Sequence, residues 1–324
     1  MINILLPHKE GFSIKKASSV SITVSNNLVF SKYQNLIKVF GRDVSNPMFR
    51  NNFVGLESSW NLLKSKNKNL AIKMCQIINK TKIPNQIIEI HNRPYLVQII
   101  KRNLSFKHNL CLFFHNDPLQ MKGSKTIAER EKLLLTTEKI FCVSKYVKKQ
   151  FLKGIKDDFE KVKVLYNGVL RNSKTFPKKR KEIIFCGRLV EEKGVHLYVE
   201  AIRSIYGFAK KWKFSLIGSQ KLGSLEKDKY SNSMLKKFKN IGRRVEITGY
   251  LSKKDVEARM KKASIIVIPS IWEEPFGLVA AEAMANGIAI IASDVGGLHE
   301  VINSNGILIK NIDAKKIVFH LNSL

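Results

Sequence analysis

The sequence predicts a two-domain α/β protein built on parallel sheets, and three observations carry that expectation. Short apolar runs of strand length alternate with helical periodicity along the whole chain, as in strands joined by crossover helices. A length of 324 residues exceeds the usual size of one domain, and 44% hydrophobic content is ample for two cores. Between the halves, residues 171–181 are polar, charged and interrupted by Pro177, which reads as an inter-domain linker. The expected domains are residues 1–170 and 182–324.

In the first domain the expected strands are Asn3–Leu6, Ile87–Ile90, Cys111–Phe114, Ile140–Val143 and Val162–Leu165, with helical patterns between them. The second opens with an apolar run from Ile183 that ends at Gly187. A basic loop follows, and helical spacing begins at Val195, continuing through Leu197, Val199, Ala201, Ile202 and Ile205. Phe214–Ile217, Val245–Ile247, Ile265–Ile268, Ile288–Ile291 and Ile307–Ile309 extend the strand series, with helices near Lys253–Lys262 and Leu278–Asn286. Two such domains facing one another would leave a cleft, with the carboxyl ends of their strands meeting substrates.

No stretch approaches the ~18 consecutive apolar residues of a membrane span, and Met1 to Pro7 reads as a buried strand rather than a signal peptide, so a cytoplasmic protein is expected. Cys75, Cys111, Cys142 and Cys186 lie far apart and are expected as buried free thiols. Of the net charge of +31, +20 falls on residues 1–174 (31 basic, 11 acidic) and +11 on residues 175–324 (26 basic, 15 acidic). That excess fits attraction to an anionic membrane surface, through segments such as Lys64–Lys68 and Lys145–Lys156, as well as it fits simple lysine-rich composition. Nucleic acid is a weaker reading, because no zinc-finger, RNP or KH signature is present.

The chemistry is concentrated in two places. Glu274 and Glu282 stand eight positions apart around a helix start, with Pro275 favouring helix entry and Gly277 allowing close approach of a ligand to the backbone. Carboxylates accept from paired hydroxyls, and free amides at a helix start favour an anion such as a departing phosphate. Upstream, Arg188 and Lys193 fall in a strand-to-helix loop, where a guanidinium and an ammonium together can neutralise a diphosphate. Taken alone, an amphipathic helix with a solvated loop acid explains the two glutamates equally well, and an ordinary surface lysine explains Lys193 better.

The set Cys186-Gly187-Arg188, Glu192-Lys193-Gly194, Gly249-Tyr250, Pro269-Ser270, Glu274-Pro275-Phe276-Gly277 with Glu282, and Ser293-Asp294-Val295-Gly296-Gly297 changes that balance. In order and spacing it resembles family 4 retaining glycosyltransferases of the GT-B fold. The first half resembles them more loosely through His91-Asn92-Arg93-Pro94, His115-Asn116-Asp117-Pro118, Val143-Ser144 and Asn167-Gly168-Val169. The resemblance implies two Rossmann-like domains facing across a cleft, with the acceptor on the first and a nucleotide-sugar donor on the second.

It further implies front-face transfer with retention, in which Arg188 and Lys193 stabilise the phosphates and Glu274 holds sugar hydroxyls. Glu282 would hold the ribose, and Phe276, Gly277 and Leu278 would offer backbone donors. His115 would meet a sugar hydroxyl or assist proton movement, and Gly11, His91, Arg93 and Asp117 are weaker acceptor-side candidates. No Asp-x-Asp triplet is present, so neither a metal nor a cofactor is expected, the nucleotide sugar being a substrate.

The expected function is transfer of a sugar to a cell-envelope saccharide or lipid-linked acceptor of the lipopolysaccharide type, at the inner face of the cytoplasmic membrane. The alternatives are a nucleotide-sugar epimerase and a basic nucleotide- or nucleic-acid-binding module that keeps the fold without catalysis. Two departures stand out. Relatives usually continue past the segment matching Asn305–Leu308 into a brace helix, and Lys16-Ala17-Ser18-Ser19 stands where they tend to carry a glycine-rich turn.

Overall fold

The computed structural model describes residues 1–14, 17–57, 65–156, 160–171, 175–219 and 229–322. The chain divides into two compact units, Met1–Gly168 and Val169–Leu324.

Unit 1 holds a seven-stranded sheet of β1 (Ile2–Leu5), β2 (Ile37–Arg42), β3 (Phe53–Leu56), β4 (Ile87–His91), β5 (Asn109–Phe114), β6 (Lys139–Cys142) and β7 (Val162–Val164). The strand order is β3-β2-β1-β4-β5-β6-β7 and every pairing is parallel. Its helices are α1 (Ser19–Phe30), α2 (Lys66–Lys80), α3 (Leu96–Asn103), α4 (Ile127–Thr136) and α5 (Lys145–Leu152). Unit 2 holds a six-stranded parallel sheet of β8 (Arg180–Cys186), β9 (Lys213–Ile217), β10 (Val245–Gly249), β11 (Ala263–Ile268), β12 (Ala289–Ser293) and β13 (Ile307–Ile309), in the order β10-β9-β8-β11-β12-β13. Its helices are α6 (Val195–Ile205), α7 (Lys229–Lys239), α8 (Lys253–Lys262), α9 (Leu278–Ala285), α10 (Leu298–Ile302) and α11 (Ala314–Asn322).

Both sheets are doubly wound, and each reverses its direction of growth beside its first strand, between β1 and β4 and between β8 and β11. Ligands of open α/β sheets collect at the carboxyl ends of strands at such a reversal. Central strand β8 shows why its sequence is apolar without alternation. Ile183 and Phe185 pack with Tyr198, Val199 and Ile202 of α6, while Ile184 on the opposite face packs with Ala280 and Ala283 of α9 and Leu298 and Ile302 of α10. A strand covered on both faces buries every side chain.

Two strands escape the sequence pattern. β2 carries Lys38 and Gly41 within six residues, and β3 is a four-residue edge strand containing Gly55, so neither presents a clean apolar run. Within the expected linker, residues 172–174 lie outside the described residues, and Arg180 and Lys181 open β8. A Cβ at Gly287 would lie 3.1 Å from the Phe176 ring, and Lys179 Nζ donates to the Asn286 carbonyl at 2.7 Å and the Met260 carbonyl at 3.3 Å. The Lys179 stem is anchored by these carbonyls in a segment that is otherwise exposed.

The four cysteines carry free thiols; Cys75, Cys111 and Cys142 are buried, and Cys186 at the tip of β8 is partly so. Lys16 and Lys64 lie outside the described residues. Among the described residues, no helix is long and apolar enough to cross a membrane.

Candidate functional site

At the tip of β8, Gly187 N–H donates to the Ile217 carbonyl at 3.0 Å and Leu189 N–H to the Ser219 carbonyl at 3.1 Å, so the loop bearing Arg188 is tied to the end of β9. One 3-10 turn, Glu191–Lys193, then leads into Gly194, which has a φ of 65°. A Cβ at Gly194 would stand 1.8 Å from the Pro269 carbonyl oxygen, a contact only glycine permits. That close passage presses the turn against the segment leaving β11, and Ile271 N–H donates to the Glu192 carbonyl at 3.0 Å. Gly194→Ala is therefore expected to cost at least ~2 kcal/mol, from the left-handed backbone alone plus the clash. Chemical denaturation of the variant measures it.

The convergence places Lys193 Nζ 2.5 Å from Glu274 Oε1 and 5.1 Å from the centroid of the Trp272 ring. Ser270 Oγ donates to the same carboxylate oxygen at 2.6 Å, and Glu274 is 6% exposed. The Glu274 backbone is held as well, because Gly297 N–H donates to its carbonyl at 2.6 Å. A Cβ at Gly296 would lie 2.3 Å from that carbonyl, which explains the paired glycines. Arg188 is more exposed and forms an ion pair of 2.5 Å with Glu192.

Helix α9 begins directly after Gly277, whose φ is 91° and whose added Cβ would meet Leu298 at 2.4 Å. No side chain caps this helix start, so its first amides and its dipole are directed at whatever occupies the loop. Arg188, Lys193, Glu274 and the start of α9 at Phe276, Gly277 and Leu278 thus belong to one end of the sheet, around the reversal between β8 and β11. An ammonium, a guanidinium and free helix amides suit a phosphate group, and the adjoining carboxylate suits hydroxyls.

Glu282, one turn into α9, lines an open depression together with Lys253, Val256, Glu257 and Met260 of α8, Asn286, Val169 and Leu170. Glu274 is not part of that lining. Burial pushes the Glu282 carboxyl up to about 7; Lys253 opposes the shift and Glu257 reinforces it. The folded chain thus holds this proton more tightly than the unfolded one, whose carboxyl titrates at 4.5. Stability from the neutral carboxyl is complete below pH 4.5 and is lost as pH rises through about 7, on the order of 3 kcal/mol. Glu282→Gln, neutral at every pH, should melt above wild type at pH 8, with the gap narrowing at pH 5.

Sequence reasoning missed Ser270 and Trp272 as partners of Glu274 and Lys193, though both flank the acidic motif. It also missed Lys253 and Glu257, which sit on a helix with no motif to mark them.

In unit 1, His91 ends β4 and His115 follows β5. His91 is 2% exposed and stands behind His115, with its Nδ1 2.8 Å from His115 Nε2. His115 is half-buried, and its backbone N–H donates to Asn92 Oδ1 at 2.8 Å. Burial, and then the neighbouring His91, push protonation of His115 well below the usual imidazole range. Arg93 donates to the Asn92 carbonyl at 2.6 Å. Asp117 Oδ1 accepts from Leu119 N–H at 2.9 Å and caps a short turn, so His91 and Asn92, not Asp117, orient His115. Gly11 is buried next to Phe12.

These arrangements can be compared with known proteins. Residues 168–324 match the family of glycosyl transferases group 1. That match spans unit 2, where the Lys193–Glu274 site lies. The whole chain is similar in fold to Anabaena HepE, solved in complex with UDP and glucose, with a TM-score of 0.75 over 99% of this chain and 89% of that one at 17% identity. The expected GT-B class of α/β fold is thereby established, with its two parallel doubly wound sheets. An uncharacterized glycosyltransferase of Methanocaldococcus jannaschii is 34% identical over 72% of this chain and 65% of its own length. The lipopolysaccharide 1,2-N-acetylglucosaminetransferase of Salmonella typhimurium is 30% identical over 37% of this chain and 32% of its own. The chain spans 48–65% of the length of the first curated relatives it matches.

Proposed function

We propose that this protein is a glycosyltransferase that moves a sugar from a nucleotide-sugar donor to a saccharide or lipid-linked acceptor of the cell envelope. The observation that carries this reading is the convergence of Lys193, Glu274 and the uncapped start of α9 at the strand reversal of unit 2. The group 1 match over the same residues supports it, as do relatives named for lipopolysaccharide glycan transfer and for complexes with UDP.

In this reading the donor diphosphate lies against Lys193, Arg188 and the first amides of α9. Lys193 has three N–H donors and spends one on Glu274, so it can hold a phosphate oxygen without releasing that carboxylate. Glu274, fixed by Lys193 and Ser270, accepts from hydroxyls of the transferred sugar, and Glu282 accepts from the ribose. As the anomeric bond lengthens, negative charge grows on the diphosphate, where the cations and helix dipole are already arranged to receive it. The acceptor attacks from the face the leaving group departs, which retains configuration, and a phosphate oxygen takes the acceptor proton. The chain supplies the positive charge for this step itself, so the reaction is proposed to run without a metal and without a cofactor.

Unit 1 takes the acceptor, with His115 meeting a sugar hydroxyl. The exposed lysines Lys145, Lys149, Lys153 and Lys156 of the α5 region would hold the protein on an anionic membrane surface, each contributing about 1 kcal/mol.

Incubation with a panel of UDP-, GDP- and ADP-sugars, with release of nucleoside diphosphate followed, tests the proposal. Turnover with at least one donor is expected. Absence of turnover across the panel, with binding that falls steeply as salt rises, would point to a basic binding module instead.

A further inference from the structure

The hydrogen bond between two imidazoles in unit 1 contains chemistry that donor binding does not use. At 2.8 Å, one hydrogen lies between Nδ1 of His91 and Nε2 of His115, so one ring donates and the other accepts. The second nitrogen of His91 decides which. Its Nε2 is sealed from solvent, has no hydrogen-bond partner among the described residues, and lies 3.6 Å from Glu89 Oε2.

That separation is too long for a hydrogen bond, yet its electrostatics are one-sided. A bare nitrogen lone pair facing a carboxylate in a buried setting is repelled, whereas an N–H is attracted. With His91 neutral, the proton lies on Nε2 and Nδ1 offers a lone pair. His115 must donate through Nε2, which leaves Nδ1 of His115 unprotonated. The rings are held for this purpose. His91 stacks on Phe113 with centroids 4.6 Å apart and planes 10° from parallel, and Asn92 Oδ1 fixes the backbone of His115.

Nδ1 of His115 has no hydrogen-bond partner among the described residues. We infer that Glu89 and His91 are positioning residues that lock His115 as a hydrogen-bond acceptor, so that this corner of unit 1 takes a sugar hydroxyl and rejects a phosphate or carboxylate oxygen. An oxygen with only lone pairs has nothing to donate to Nδ1, while a hydroxyl does. The depressed protonation of His115 agrees with this, because a neutral ring offers an anion no charge to pair with. The identity of the hydroxyl as a sugar's rests on the glycosyl-transfer reading; the tautomer does not.

The test is nitrogen NMR of the full chain with labelled histidine at neutral pH, where couplings to the ring protons report which nitrogen is protonated. Both His91 and His115 are expected as the Nε2–H form. Glu89→Leu should move part of the His91 population to the Nδ1–H form, a shift that a merely structural carboxylate would not cause. Sulfate at millimolar concentration, which carries no hydroxyl at neutral pH, should leave the His115 resonances in place. A proton on Nδ1 of either ring in wild type, an unchanged spectrum in Glu89→Leu, or protonation of His115 on addition of sulfate would each overturn the inference. If the tautomers are as stated and no nucleotide sugar is turned over, the functional reading fails and the tautomer assignment stands.

Discussion

Lys193→Ala is expected to lower kcat/KM for sugar transfer by about 10³-fold, or roughly 4 kcal/mol of transition-state stabilisation. The Lys193 side chain is 19% exposed and its ammonium is close to both the Glu274 carboxylate and the Trp272 ring, so its charge acts in a poorly solvated setting. A departing diphosphate gains charge during the reaction, and a fixed cation there contributes more to the transition state than to the ground state. The loss should therefore fall mainly on kcat. A second consequence follows from the ion pair. Removing Lys193 leaves the buried Glu274 carboxylate without its counter-charge, which should cost about 2 kcal/mol of stability. Lys193→Met combined with Glu274→Gln should recover part of that stability and none of the activity. Steady-state kinetics and denaturant titration on the same samples separate the two effects.

Glu274→Ala is expected to be nearly as damaging, by about 10²- to 10³-fold in kcat/KM. Here the loss should appear in KM as well as kcat, because Glu274 is assigned to hydroxyls of the donor sugar in both ground and transition states. The Lys193 ammonium and the Ser270 hydroxyl both lose their shared acceptor at Oε1. Glu274→Gln retains an acceptor oxygen for Ser270 and for a sugar hydroxyl but removes the charge that holds Lys193, so it should fall between wild type and Glu274→Ala. Equal activity of the Gln and wild-type proteins would show that the carboxylate's charge plays no part.

The apolar stretches of β8 (Ile183–Phe185) and β11 (Ile265–Ile268) were legible because burial on both faces leaves no polar positions there. β2 and β3 were not, since a lysine, two glycines and an exposed edge dilute the pattern. Glu274, Lys193 and the start of α9 were legible as a set of motifs, yet their meeting depends on a fact no motif states. Gly194 must pass within contact of the Pro269 carbonyl and Gly296 within contact of the Glu274 carbonyl, and only tertiary structure shows which backbone each glycine makes room for.

The electrostatic setting of Glu282 was equally hidden. It depends on Lys253 and Glu257, about thirty residues earlier on α8, whose charges read in sequence as an ordinary solvated helix face. Unit 1 shows a similar limit. His91 and His115 were each visible at a strand end, but the bond between them arises from the parallel pairing of β4 with β5 and the bend at Asn92, whose φ is 52°.

The central claim is that one cation-rich loop and one helix start in unit 2 hold a nucleoside diphosphate. Calorimetric titration of UDP, GDP and ADP into wild type and into the Arg188→Ala/Lys193→Ala double variant measures this directly. At least one nucleotide should bind wild type with a Kd in the micromolar range and bind the double variant at least ~30-fold more weakly, about 2 kcal/mol. Equal affinity of the two proteins for all three nucleotides would contradict the account.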